Sequence, residues 1–566
     1  MKVPSTPPKK MSLKDALRFL LKSHYLGEDF PPLITTEKFA GFCVKNFDSL
    51  VPDKTLLERT TLYGLFSAPR TTNSRRVMAL PHPSSQLALS LIIAENRGEV
   101  RKTIRTSKIT LYNVSPEKSA ERVFVGLDFE QRTKKEAEIL ARYPIIMKAD
   151  VQNFFHTIYT HSLPWAVLGK NYVKDTREGR DKVEKNKLEQ HWASQIDRAI
   201  QRGNSRETFG IPVGPDISRI IAEILLSGIH KNSSFAKCLD GHKAYRLVDD
   251  FFVGFDDEIT ARRCQDSLRQ ALWEYNLYLN DIKTQIIHSS VIFDGGWKYE
   301  IERFQLSYKS SDRQRDAVQR LLEITLAHCE AQRDSRPVIF FCRRLLTLNI
   351  VPANFLFIRN CMLRVGRDFT ICLRFVADFV VMYRADLLDA ESFEAFKGWT
   401  QLLFAMHAKR GHDFEVTWTL IICGVLGLRV SKAFLSVDEP IESPVVLAIL
   451  GLLSKKGLLD EKWDDWKINP PPTGSLANGR SWLPYYEAVL RDWTNDPQIK
   501  KEIRADALFS KLLDEKVTFL DDSNFSEYIP RLPITTVSAH LKSNTKDRLI
   551  TRTKTFSGRK ISEHYT

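Results

Sequence analysis

Asp249 and Asp250 stand side by side at the crest of an apolar run, Ala244-Tyr245-Arg246-Leu247-Val248-Asp249-Asp250-Phe251-Phe252-Val253-Gly254-Phe255. Val248, Phe251, Phe252 and Val253 favour β-structure, so the run is expected to form a hairpin with two carboxylates at its turn. Like charges packed at the tip of a buried hairpin are costly unless a cation neutralises them. Mg²⁺ meets that need, because it takes oxygen ligands from one or two carboxylates together with substrate phosphates. A plain surface turn is the bland alternative, and Asp256-Asp257 is such a pair close by.

A third carboxylate lies upstream, where Ile145-Ile146-Met147-Lys148-Ala149 reads as an apolar strand ending at Asp150. Two-metal phosphoryl transfer needs carboxylates from separate elements to hold ions about 4 Å apart. A strand-end Asp and a hairpin Asp pair satisfy that requirement. Phe155 follows on the stretch that leaves the strand, where it would flank a bound nucleotide or simply pack in the core.

Between these elements lies Gly210-Ile211-Pro212-Val213-Gly214-Pro215-Asp216-Ile217-Ser218-Arg219. Its Gly and Pro residues write a stiff loop. Apolar residues at 217, 220, 221, 224 and 225 then follow helical spacing, with Asp216 placed to cap the helix. A loop leading into a helix N-terminus suits a phosphate-bearing ligand. After the aspartate pair comes Tyr278-Leu279-Asn280-Asp281-Ile282-Lys283-Thr284. Lys283 could protonate a departing pyrophosphate, although most lysines are solvated surface.

In this order, Asp150 with Phe155, then Gly210–Arg219, then Asp249-Asp250, then Asn280–Thr284 resemble the successive palm motifs of reverse transcriptases. The stretch 211–219 more narrowly resembles the bacterial abortive-infection and defence-associated branch, the AbiK- and AbiA-like enzymes. Retroviral enzymes carry a Pro-Gln-Gly loop, and here Val213 stands in place of that glutamine. Leu247 stands where many relatives have an aromatic. The motifs span roughly residues 60–305.

The resemblance implies an α+β fold: a right-handed polymerase with fingers and palm, then an all-α helical-repeat domain of HEAT-like type. It implies that Asp150, Asp249 and Asp250 hold Mg²⁺ or Mn²⁺, with Asp150 and Asp249 bridging the ions most directly. Lys283 matches the general acid, and Phe155 the position that excludes a ribose 2′-hydroxyl, hence dNTP use. Pro212, Gly214 and Ser218 fall against the nucleotide, while Arg75 and Arg76 fall where the fingers contact its triphosphate. Such enzymes are known for protein priming, in which a tyrosine hydroxyl accepts the first nucleotide. Tyr25, Tyr565 and Tyr63 are the candidates in that order, ranked by expected mobility of their segments. The implied function is DNA synthesis in antiphage defence, template-independent and protein-primed. The alternatives are copying of a dedicated non-coding RNA, or a non-catalytic nucleic-acid-binding scaffold. Expected partners are dNTPs, a DNA product (covalently attached if protein-primed), a non-coding RNA if one is copied, and further copies of the chain.

Composition agrees with these expectations. The 566 residues are 43% hydrophobic and 10% aromatic, as a folded protein with sizeable cores requires. A net charge of +14 and a pI near 9.2 suit a polyanionic partner. Basic residues cluster in Arg97–Lys108, Lys170–Lys187 and Lys542–Lys560. The middle cluster is interleaved with acids and reads as a solvated helix face, whereas Arg101, Lys102 and Arg105 suit backbone phosphates. Eight cysteines without CxxC pairs indicate neither a zinc site nor a disulfide framework, which suits a reducing bacterial cytoplasm. No run reaches the ~20 apolar residues that span a membrane, so no membrane partner is expected.

The chain is thus expected to divide into an N-terminal segment (1–60), fingers and palm (61–305), a helical domain (310–540) and a basic tail (541–566). Helical spacing recurs through Val318–Cys329, Cys372–Tyr383, Trp399–Ala408, Val416–Leu426, Val445–Lys456 and Trp482–Trp493. Arg410-Gly411-His412-Asp413-Phe414 and Trp418 belong to the resemblance with the abortive-infection helical domain. Arg559 and His564 share the spacing of certain small helical RNases, but no helical bundle surrounds them and chance explains it.

Overall fold

The computed structural model describes residues 11–22, 25–27, 29–71, 74–111, 129–292, 296–467 and 476–521. The basic tail with Arg559, His564 and Tyr565 lies outside these residues, as does the proline-rich stretch 469–472. Strands β1 (Gly64–Thr71) and β2 (Ser74–Leu80) form an antiparallel hairpin with Ala68 opposite Arg76 and Pro69 opposite Arg75. Strands β3 (Ile145–Ala149), β4 (Ala244–Leu247), β5 (Asp250–Phe255) and β6 (Gln285–His288) form a second sheet in the order β4-β5-β3-β6. All its pairings are antiparallel, with Ala149 opposite Phe251 and Lys148 opposite Gln285. The end of β3, the start of β5 and the turn before β6 therefore meet at one end of the sheet.

Alternation along the strands buries both faces of that sheet. Met147, Ala149, Phe251 and Val253 join the large central core. Ile146, Tyr245, Leu247 and Phe252 meet Ile139 and Tyr143 on the other side. Gly254 is required there, since a Cβ would collide with the Tyr143 ring. The helix Asp216–His230 is apolar on nearly every side and runs through the core, as an all-round hydrophobic helix should. Asp216 does not cap it. Pro215 holds the cap position, and Asp216 is the first helical residue, 3.2 Å from the Arg219 guanidinium. Pro215 pre-sets the extended dihedrals of a cap, which moves Asp216 one place inward.

From Ser311 to Asp514 the described chain is helical, with four fully buried tryptophans, Trp418, Trp463, Trp466 and Trp482. These helices close back onto the N-terminal half. Ser67 N donates to Asp413 (2.7 Å), Leu62 N to the Asn478 carbonyl (2.8 Å) and Thr35 N to the Phe519 carbonyl (2.8 Å). Leu17, Phe66, Trp418 and Phe519 share one continuous apolar cluster. No described helix is long and apolar enough to cross a membrane, and all eight cysteines are unpaired thiols.

Candidate active site

Asp150 follows β3, Asp249 forms the β4–β5 turn and Asp250 opens β5, so the register that joins β3 to β5 gathers the carboxylates at one sheet edge. Asp150 is buried. Its Oδ1 accepts from Asn280 Nδ2 (3.1 Å), its Oδ2 from Lys283 Nζ (2.9 Å), and its backbone carbonyl from Asn280 N (2.8 Å). The Asn280–Lys283 turn is thereby pinned to this edge. Burial, and then the Asp150 charge, push Asp249 up to about 6. Asp250, whose side chain also reaches solvent, is pushed up to about 7, first by the surrounding protein, then by Asp249 and by a hydrogen bond with Asp150.

Such a set fits divalent cations, because a pair of ions would relieve the repulsion that raises these groups and supply what Lys283 alone now provides to Asp150. Among the described residues, the three carboxylates do not close on a single point. They line one edge of the sheet.

Beneath this edge sits a closed ion pair. Arg246 donates to both oxygens of Glu223 (2.9 Å each), and the two side chains are each 1% exposed. Arg246 Nη1 also donates to the Val248 carbonyl (2.7 Å), and Thr110 Oγ1 donates to Glu223 (2.9 Å). Val248 itself has φ +48°, a conformation that a β-branched residue avoids at a cost of about 1–3 kcal/mol. The guanidinium bond to its carbonyl holds the strained turn that aims Asp249. Sequence reasoning passed over this pair. Its signal was an arginine inside an apolar strand and a glutamate three residues after Ile220 on an apolar helix.

Residues 99–309 match the family model described as reverse transcriptase (RNA-dependent DNA polymerase). They form a reverse transcriptase domain. The family so described consists of RNA-dependent DNA polymerases. Among solved structures the chain is similar to apo telomerase from Candida tropicalis, at 12% identity and TM-score 0.30, covering 70% of this chain and 66% of that one. The same telomerase truncated from its C-terminal domain matches at 15% identity and TM-score 0.27, covering 40% and 50%. Telomerase from Candida albicans in complex with a TWJ fragment of telomeric RNA matches at 14% identity and TM-score 0.26, covering 61% and 64%. This chain thus spans between 50% and 66% of the length of those chains. No curated protein matches it.

Within the reverse transcriptase domain, Asp150, Asp249, Asp250 and Lys283 are brought together, and Phe155 belongs to the same neighbourhood. Phe155 is half-buried, edge-on to Phe154 at 5.5 Å, and its carbonyl accepts from Ile211 N (2.9 Å). Gly210 N likewise donates to the Ile158 carbonyl (2.9 Å), so the glycine-proline loop is stitched to the turn that carries Phe155. Gly214 has φ +114°, and a Cβ there would lie 2.7 Å from Met78 Cε and 3.4 Å from Gly27 Cα. Glycine is thus the residue that lets the loop, β2 and the N-terminal segment touch. Pro212 is half-buried and Ser218 buried, so the loop presents little beyond backbone on this side.

Outside the domain, the two fingers arginines separate. Arg75 is committed elsewhere: its guanidinium grips both oxygens of Glu415 (2.7 and 2.8 Å) and donates to Ser67 Oγ (2.7 Å). Arg76 lies within electrostatic reach of Asp249, Arg70 and Arg219, and Arg70 within reach of Asp249 as well. Adjacent residues of a strand face opposite sides, so Arg75 and Arg76 cannot act as a pair. Arg70, at the register shift between Pro69 and Thr71, also lies within electrostatic reach of Asp249 and is the partner that the sequence reading missed.

The priming order is corrected as well. Tyr25 is fully buried, packs near Phe39 at 6.0 Å and donates its hydroxyl to the Pro81 carbonyl (2.7 Å). Its segment is not loose, because Leu17, Leu20 and Leu21 of the preceding helix are driven into the core. Tyr63 is partly buried beside Asn204 and Arg480. Tyr565 lies outside the described residues.

Proposed function

We propose that this chain is a DNA polymerase that joins dNTPs without a template onto a tyrosine of the protein itself, in bacterial antiphage defence. The observation that carries the polymerase reading is the convergence of Asp150, Asp249 and Asp250 with Lys283 at one edge of the β4-β5-β3-β6 sheet. The three carboxylates would hold two Mg²⁺ or Mn²⁺ ions, which when bound stabilise the entering and leaving oxygens of an in-line displacement. A hydroxyl oxygen, of a 3′ end or of the priming tyrosine, forms the bond to the α-phosphorus while the α–β bond breaks. Lys283 carries a proton at the cleft and delivers it to the departing pyrophosphate. Arg70 and Arg76 receive the triphosphate charge, and Phe155 fills the space of a 2′-hydroxyl.

Protein priming finds support in the way the helical region is fastened to the fingers hairpin at Ser67, Arg75 and Leu62. A hairpin held so has little freedom to follow a sliding duplex, and a covalent tether keeps the growing end at the metals without one. Tyr565 becomes the first candidate now that Tyr25 is spoken for. Assignment to abortive infection rests on the resemblance of 211–219 and on the helical, HEAT-like region that follows the domain. The bound nucleic acid decides the matter. Random or homopolymeric DNA attached to protein supports this reading, complementary DNA of one RNA replaces it with a templated enzyme, and no DNA with no incorporation leaves a scaffold.

A further inference from the structure

The helix Ala390–His407 ends in a short 3-10 turn, and Gly411 at φ +62° reverses the chain into the helix Asp413–Leu426. This reversal sets two imidazoles face to face, with His407 Nδ1 and His412 Nδ1 2.9 Å apart. Glu415, 1% exposed in the first turn of the next helix, completes a group whose ligand atoms all lie within 4.8 Å of one another. It is the one such group of His, Cys, Asp and Glu among the described residues. Only one hydrogen can lie between the two Nδ1 atoms, so one of the two partly buried nitrogens faces the other without a proton of its own. A buried polar network left short of partners is where an ion or water belongs.

The donor set is specific. Glu415 Oε1 accepts from Arg75 Nη1 and Thr370 Oγ1, whereas Oε2 accepts only from Arg75 Nη2 and so retains a lone pair. Hydrogen bonds of this kind orient ligating carboxylates in established metal sites. Two nitrogens at about 2.05 Å from a tetrahedral ion stand ~3.3 Å apart, so the imidazoles need to part by a few tenths of an ångström. Imidazole and carboxylate together suit Zn²⁺ and exclude preference for Mg²⁺ or Ca²⁺. Burial holds both histidines below their ordinary pKa, which leaves their lone pairs open at neutral pH. Arg75 and Arg410 oppose a dication here, and the Glu415 charge together with nearby Asp413 counters them.

We propose that His407, His412 and Glu415 form a Zn²⁺ site, with water as fourth ligand, separate from the palm carboxylates. Through Glu415–Arg75 and Asp413–Ser67 this ion would lock the fingers hairpin to the helical region. The test uses the full chain carrying Asp249→Asn and Asp250→Asn, so that metal at the palm does not contribute. Purified without chelator, it should hold about one zinc per chain, falling below roughly a tenth when His407→Ala and His412→Ala are added. Co²⁺ added to the zinc-stripped chain should give the visible absorption of tetrahedral, nitrogen-bearing cobalt, which oxygen ligands at the palm do not produce. Retention of zinc in the histidine variant overturns the proposal. So does a chain that contains no stoichiometric zinc and shows no such absorption with Co²⁺; because this arm needs no histidine variant, it decides even if that variant fails to fold.

Discussion

Two ion pairs beside the β4-β5-β3-β6 sheet work in opposite ways. Arg246–Glu223 is closed to water, doubly bonded and joined to the backbone of the Asp249 turn. Lys283–Asp150 is a single contact whose lysine is 46% exposed. The closed pair cannot exchange partners without leaving a bare charge in the core, so it serves to fix geometry. The open pair can exchange, and its lysine is free to leave when a stronger cation reaches Asp150. Rigid support and exchangeable charge lie within one hairpin of each other, as a site that must be preorganised yet reload at every cycle requires.

The largest effect expected is at the exchangeable side. Asp249→Asn with Asp250→Asn should reduce nucleotide incorporation by more than about 10³-fold with folding intact, since a two-metal site loses its ligands but no packing changes. Wild-type incorporation in this variant would remove the polymerase reading. The same substitution should stabilise the metal-free chain at neutral pH. Asp249 is raised in the folded state, so its contribution is fully present below the unfolded value and is lost as pH rises through about 6. The unfolding free energy of Asp249→Asn should therefore pull ahead of wild type between about pH 4 and pH 7, by on the order of 1–3 kcal/mol, and Mg²⁺ should close the gap.

On the closed side, Arg246→Met should cost about 3–5 kcal/mol in denaturant unfolding, because Glu223 is left buried without a partner. Adding Glu223→Leu should recover most of the stability but little of the incorporation, since the bond to the Val248 carbonyl stays lost. Recovery of both would make the pair a stabilising element only.

Lys283→Ala should sharpen the contrast, with stability altered by less than about 1 kcal/mol while kcat falls ~10²-fold. A full-rate Lys283→Ala enzyme would return Lys283 to plain surface. Smallest is the sugar gate. Phe155→Ala should improve use of a ribonucleotide relative to its deoxy counterpart by roughly 10- to 200-fold in kcat/KM, the range that one apolar contact supports. A parent enzyme that already uses both sugars equally would place Phe155 in the core.

The hairpin of Ala244–Phe255, the strand ending at Asp150 and the helix after Pro215 were legible because each is a periodicity with a chemical group at its end. Such patterns are local, and the backbone reads them without help. Arg246 was hidden, because an arginine inside an apolar strand acquires meaning only when Glu223 arrives from another helix to meet it. Arg75 and Arg76 looked equivalent until the strand turned one toward Asp249 and the other toward Glu415, a residue far along the chain. Tyr25 looked mobile because it lies near the start of the chain just before Gly27, yet the helix before it is buried and the Pro81 carbonyl claims its hydroxyl.

By itself, then, the order of residues determined which groups could do chemistry and on which elements they ride, since residue type and period depend on neighbours a few positions away. Only the tertiary structure decided which of those groups face the cleft, which are consumed by the seam between fingers and helices, and which histidines meet. Those outcomes depend on burial and on pairings across hundreds of residues, where the cost of an unpartnered charge selects the arrangement.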